Sequence, residues 1–182
     1  MGMNISIENK ILIQTVHTAS RFAERRGATL PALASLLIIA SDDDIRMRAT
    51  NLEAGVDIKV TGTIKATGAA AVQATLIAQI VSSLPLEGVS TLEQHGDVLT
   101  LTTGSGTFSF KTTPYEDFPS IPFPENPKNQ LILSSETLKN ALIPITSCAS
   151  TSSVRPELAS VLFSSENNTL TLVATDSFRL AR

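Results

Sequence analysis

The chain has 182 residues, of which 42% are hydrophobic and 17% charged, and carries a net charge of −3 at pH 7. This balance excludes a disordered polypeptide and argues against a broadly basic nucleic-acid binder, although a local cationic face remains compatible with it. One cysteine, Cys148, excludes an internal disulfide and favours a reducing, cytoplasmic compartment.

In chain order, "MGMNISIENK" lacks the apolar core of a leader peptide. Leu12, Val16, Ala19 and Ala23 then recur at helical spacing and predict a first helix. The apolar run from Leu30 to Ala40 is eleven residues broken by Ser35, too short to cross a bilayer. It reads instead as a strand, Ala34 to Ala40, joined through Ser41-Asp42-Asp43 to a second strand carrying Ile45, Met47 and Ala49. "EAGVDIKVTGTIKATG" and "AAAVQ" supply further strands, and a helix is predicted from about Ala74 to Leu84 with Leu76, Ile77, Ile80 and Leu84 inward. "STLEQHGDVLTLTTGSGTFSFKTT" alternates as strands with turns at Gln94–Asp97 and Gly104–Gly106. Pro114, Pro119, Pro122, Pro124 and Pro127 follow, a density that neither sheet nor helix accommodates, so this stretch is a linker. Beyond it, Ser134 or Ser135 can cap a helix with the stripe Leu138, Ala141, Leu142 and Ile145, which Pro144 should kink or shorten. Cys148 lies at the end of that stripe and reads as a buried structural thiol. A last hairpin, Ala159 to Ser165 and then Leu170, Leu172 and Ala174, runs into "TDSFRL".

The second hairpin repeats the first. "LPALASLLIIASDDDIRMRATN" (30–51) aligns without a gap on "RPELASVLFSSENNTLTLVATD" (155–176), with seven of 22 positions identical at an offset of 125 residues. Each copy follows a helix. The fold class is therefore α+β: repeated helix-plus-antiparallel-sheet units, the first complete over 1–127 with its proline-rich linker, the second begun over 128–182 and expected to be truncated.

"TLPALASLLI", "SSLP", "FSFKTTPYEDFPSIP", "SSVRPELASVLF" and "VATDSFRLA" resemble, in order and spacing, the bacterial sliding clamp, the beta subunit of DNA polymerase III. The resemblance runs over essentially the whole chain and is most specific in "VRPELASVLF" and "VATDSFRLA". It implies the DNA-clamp fold and a processivity factor of DNA replication. The family's subunit holds three such domains, and two subunits close into a homodimeric ring around duplex DNA. Helices line the hole and sheets form the rim. This chain would be the first domain and part of the second, unable to close a ring alone.

Lys10, Gln14, His17, Arg21 and Arg25 fall at i, i+4, i+7, i+11 and i+15 as a partly basic stripe, with Arg26 next to it. Alone, this is as well read as an ordinary solvated helix face. The resemblance makes Lys10, Arg21, Arg25, Arg26 and, in the second unit, Lys139 contacts to DNA phosphates, without base readout. The second helix offers no Lys or Arg, so the fragment's affinity for DNA should be weak.

The resemblance also assigns Arg155, Leu158, Thr175, Ser177, Phe178, Arg179 and Leu180 to a pocket for a short linear motif from polymerase, clamp loader and repair proteins. Leu158, Phe178 and Leu180 would hold apolar side chains, and the arginines would orient polar groups. Ser177-Phe178 stands where some members have Gly-His. Asp176 reads as a strand-end cap. Phe108 and Phe110, alternate residues on one face of a strand, match the family's subunit interface, and core packing fits them equally.

A catalyst is not expected. There is no Gly-x-Ser-x-Gly elbow, no Walker-type loop and no Cys/His metal spacing, and no cofactor is implied. His17 and His95 read as surface residues, and Asp42-Asp43-Asp44 do not alternate as calcium ligands do. The remaining alternative is a non-enzymatic repeat scaffold that binds proteins without DNA.

Overall fold

The computed structural model describes residues 2–24, 30–122, 131–152, 154–167 and 169–182. The chain divides into two compact units, Met1–Phe123 and Pro124–Arg182.

The first unit opens with a strand that sequence reading had not assigned, β1 (Asn4–Glu8), whose Ile5 and Ile7 alternate into the core. Helix α1 (Asn9–Ser20) follows at once, and Leu12, Val16 and Ala19 are fully buried along its inner stripe. The helix closes early. Arg21 caps it, the Phe22 N–H bonds the Ala19 carbonyl at 2.9 Å, and the Glu24 N–H turns to the Leu33 carbonyl at 2.8 Å. Helix α1 therefore closes at Arg21, where hydrogen bonding at Phe22 has tightened to three-residue spacing.

A 3-10 turn (Pro31–Ala34) leads to β2 (Ser35–Ala40), β3 (Ile45–Thr50), β4 (Gly55–Val60), β5 (Thr63–Ala66) and β6 (Gly68–Gln73). Helix α2 (Ala74–Ser82) and β7 (Val89–His95), β8 (Val98–Thr103) and β9 (Gly106–Thr113) complete the unit's strands and helices. The nine strands form one antiparallel sheet in the order β4-β3-β2-β6-β9-β8-β7-β1-β5. Its two halves join at only two residue pairs, Ala71 with Thr113 and Val72 with Thr112. One continuous core, including Leu36, Ile38, Met47, Ile77, Leu92 and Leu101, lies between the sheet and both helices. Leu76, expected inward on α2, is 48% exposed. The inward stripe is Ala74, Ile77 and Val81, whose centre at about 100° per residue lies beyond Ile77 and leaves Leu76 to the side.

Asp44, the last of the three consecutive aspartates, turns back on its own hairpin. Its carboxylate accepts from the Ser41 hydroxyl at 2.8 Å and from Arg46 Nε at 3.1 Å, and the Ser41 bond heads the causes that hold its pKa below the ordinary value.

In the second unit α3 (Ser135–Thr146) starts where Ser134 Oγ accepts the Thr137 N–H at 3.0 Å, and Pro144 lies inside it. Strands β10 (Leu162–Glu166), β11 (Thr169–Thr175) and β12 (Leu180–Ala181) form an antiparallel sheet. Ile145, Leu172 and Ala174 make a small core with Leu142 and Leu170 against it. Two expectations are corrected. The first strand begins at Leu162 rather than Ala159, because the Ala159 N–H is committed to the Arg155 and Pro156 carbonyls in a turn. Cys148 is partly exposed rather than buried, since its N–H closes the end of α3 on Ile145.

Candidate nucleic-acid face and partner-docking turn

Helix α1 presents Lys10, Gln14, His17 and Arg21 as exposed side chains opposite its buried stripe. His17 Nε2 lies 3.0 Å from Ser82 Oγ, so the helix is tied to α2 along this face. On α2 the exposed positions Thr75, Leu76, Gln79 and Ser82 carry no charge, which leaves the cationic character to α1. The N-terminus of α1 is anchored by Asn9. Its side-chain N–H groups donate to the carbonyls of Pro85 and Glu87 at 2.9 and 3.0 Å, while its Oδ1 accepts from Ser90 Oγ at 2.6 Å. Gly88 (φ +108°) leaves space here that a side chain would take, since an added Cβ would stand 3.3 Å from Asn9 Nδ2. Arg25 and Arg26 lie outside the described residues. Lys139 is exposed on α3, within the second unit.

The residues expected to form the partner pocket fall in two places. Arg155 and Leu158 occupy a turn ahead of β10, in which the Leu158 N–H donates to the Arg155 carbonyl at 3.0 Å and the Leu158 carbonyl accepts from the Ser150 N–H at 2.8 Å. Thr175, Ser177, Phe178, Arg179 and Leu180 form the tight connection between β11 and β12. Thr175 Oγ1 donates to the Arg179 carbonyl at 2.6 Å and accepts the Ser177 N–H at 3.1 Å. Asp176 Oδ1 accepts the N–H groups of Phe178 and Arg179 at 2.9 and 2.7 Å. Its Oδ2 takes Nε and Nη2 of the Arg179 guanidinium at 3.0 and 2.8 Å. Backbone and guanidinium donors from Arg179, then the Phe178 N–H, pull the Asp176 pKa down to about 2. The turn is thereby locked, and it holds Phe178 (95% exposed) and Leu180 (68% exposed) out to solvent.

The repeat reaches down to these hydrogen bonds. In the first unit Thr50 Oγ1 donates to the Ala54 carbonyl at 2.9 Å and accepts the Leu52 N–H at 3.0 Å. Asn51 Oδ1 accepts the N–H groups of Glu53 and Ala54 at 3.1 and 2.8 Å. The left-handed residue also recurs, Leu52 with φ +72° and Ser177 with φ +77°. Sequence reading treated Asp176 as a cap alone and missed its ion pair. The signal lay in the aligned copies, where Asn51 becomes Asp176 and Ala54 becomes Arg179.

A cavity of about 370 Å³ in the second unit is lined by Ala141, Pro144, Ile145, Leu170, Leu172 and Arg182 among others, and by none of the residues expected to form the partner pocket. Phe108 and Phe110 face the first unit's core. Phe110 is buried there and Phe108 half-buried against it. Both pair only with β8, through Leu101 and Leu99, because β9 meets β6 only at its last two residues. The main chain of β9 before Thr112 therefore has one strand neighbour among the described residues.

Two helices on one face of an antiparallel sheet, and a second copy of the hairpin 125 residues on, are the architecture of a DNA clamp. A clamp from Bartonella birtlesii solved bound to griselimycin matches with TM-score 0.88 and 29% identity over 99% of this chain and 49% of that one. The Bacillus subtilis clamp gives TM-score 0.89 at 25% identity. The sequence profile of the DNA polymerase III beta subunit, N-terminal domain, matches residues 3–122, and the chain belongs to that family. The beta sliding clamp of Micrococcus luteus is 30% identical over 179 residues, covering 98% of this chain and 56% of the relative. That of Vibrio cholerae is 32% identical over 181 residues, covering 98% and 49%. The chain thus spans about half the length of the curated relatives it matches.

Proposed function

We propose that this chain is part of a replication processivity factor, a sliding clamp that encircles duplex DNA and docks the polymerase and other partners on its rim. The observation that carries this reading is the match to beta sliding clamps over 98% of the chain. Lys10, Arg21, Arg25, Arg26 and Lys139 are assigned to phosphate contact. A sliding surface needs cations that neutralise phosphates without reading bases. Arg155, Leu158, Thr175, Ser177, Phe178, Arg179 and Leu180 are assigned to the motif-binding pocket. Exposed Phe178 and Leu180 supply apolar contact and Arg179 supplies polar donors. The griselimycin complex of the Bartonella relative supports a ligand-accepting site in this family.

Domain limits of 1–127 and 128–182, a homodimeric ring and a cytoplasmic location complete the proposal. For the ring, the half-strand of β9 that lacks a second neighbour among the described residues is the edge offered to another subunit, with Phe108 the side chain close enough to the surface to contribute. No bond is made or broken in this function, so no catalytic residue or cofactor is assigned. Among the described residues no helix is long and apolar enough to cross a membrane.

The test is retention of the full-length gene product on circular and on linearised duplex, with a clamp loader present. Retention on circles with loss from linear ends is the expected result. Equal behaviour on both would overturn the clamp reading and leave a repeat scaffold that binds proteins.

A further inference from the structure

The two repeated turns differ in one charge pair. In the first unit a neutral amide, Asn51, satisfies both backbone N–H groups and holds the turn. In the second, Asp176 does the same with one oxygen, at 2.9 and 2.7 Å, and has an oxygen left over. That second oxygen accepts Nε and Nη2 of Arg179, where the first unit has only Ala54. Closing the turn needs no carboxylate, so the charge at position 176 serves the arginine.

A guanidinium carries five N–H donors in a rigid plane. Asp176 occupies two of them. Both hydrogens on Nη1 and one on Nη2 remain as an open fork on a side chain that is 64% exposed. Left alone on such a surface, a long arginine samples many rotamers and loses that freedom on binding. Paired to a carboxylate fixed by two backbone N–H groups, it is oriented before the ligand arrives. The pair is also neutral overall, which lessens the desolvation cost when Phe178 and Leu180 beside it are covered.

We propose that Asp176 is a positioning residue for ligand recognition, holding Arg179 so that its open fork meets paired acceptor oxygens, the main-chain carbonyls or a carboxylate of an extended peptide. The inference rests on the reading of this turn as a docking site. Asp176 itself touches no ligand. It acts through Arg179, and the Asn51 turn is its built-in control.

Calorimetric titration of the full-length protein with griselimycin as probe tests this with Asp176→Asn, Arg179→Ala and the double variant. Asp176→Asn should keep the turn closed, as the Asn51 turn implies, with at most a small fall in melting temperature from the lost charge, and bind about tenfold more weakly. In the Arg179→Ala background the same change should cost nothing further, a coupling that a purely structural role would not produce. If Arg179→Ala weakens binding while Asp176→Asn binds like the parent, the inference fails and the docking reading stands. If Asp176→Asn weakens binding equally with and without Arg179, positioning through the arginine is overturned. If none of the variants alters binding, the docking reading fails and takes the inference with it.

Discussion

Asn9 and Ser90, 81 positions apart, share a 2.6 Å hydrogen bond inside the first unit. Through it the first residue of the cationic helix is fixed to β7. The same side chain satisfies two carbonyls of the preceding loop, and the residue is only 2% exposed. Asn9→Ala leaves a buried hydroxyl and two carbonyls without their partner. Chemical denaturation should read a loss of about 1–3 kcal/mol. A change within error would mean that water replaces the amide.

The phosphate assignment makes a graded prediction. Lys10→Ala and Arg21→Ala should each weaken duplex binding by the full-length protein. Each should also flatten the dependence of log affinity on log salt by about 0.9. Gln14→Ala, on the same exposed row, should leave that slope unchanged. Equal slopes for all three would remove this helix from the DNA interface.

Asp176 has its pKa lowered from 3.8 to about 2 in the folded chain. A depressed carboxylate contributes stability in full above its unfolded value and loses it as pH falls through the folded one. The contribution is therefore present above about pH 4 and gone near pH 2. Thermal unfolding of the second unit's signal between pH 6 and pH 2 should fall less for Asp176→Asn than for the parent. Parallel pH profiles would show that the turn is not held by charge.

Leu52 adopts φ +72° with its side chain 66% exposed, a backbone state that costs an L-residue roughly 1–2 kcal/mol. Glycine removes that strain but adds freedom to the unfolded chain. Leu52→Gly should stabilise the first unit by about 0.5 kcal/mol, read as a higher denaturant midpoint. A lower midpoint would mean that Leu52 gains more from the groove it shares with Pro119 and Ile121.

Much of the fold was legible because its signals are periodic. Leu12, Val16 and Ala19 mark α1 at helical spacing, and the paired hairpins declare themselves through their fixed offset. Other features depend on three-dimensional neighbours. Ile5 and Ile7 alternate over too few residues to stand out beside an adjoining helix, so β1 passed unread. Leu76 is apolar and on α2, yet Ala74, Ile77 and Val81 form a competing apolar face, and tertiary packing decides which of the two turns inward. The end of α1 at Ser20 is set by the Glu24 N–H finding the Leu33 carbonyl, a contact that no local pattern encodes. In the turn between β11 and β12, residue types and the resemblance singled out the segment. The carboxylate–guanidinium contact within it became readable only against the first copy.

The narrow junction between the two halves of the nine-stranded sheet has a mechanical meaning. Two residue pairs, at Ala71 and Val72, carry the backbone ladder across it, whereas the side chains of α1 and α2 pack beneath strands on both sides. Shear applied along the rim would meet little resistance from main-chain bonding at that line. The load would pass instead into close-packed aliphatic contacts, so the helical layer works as a splint across a seam in the sheet.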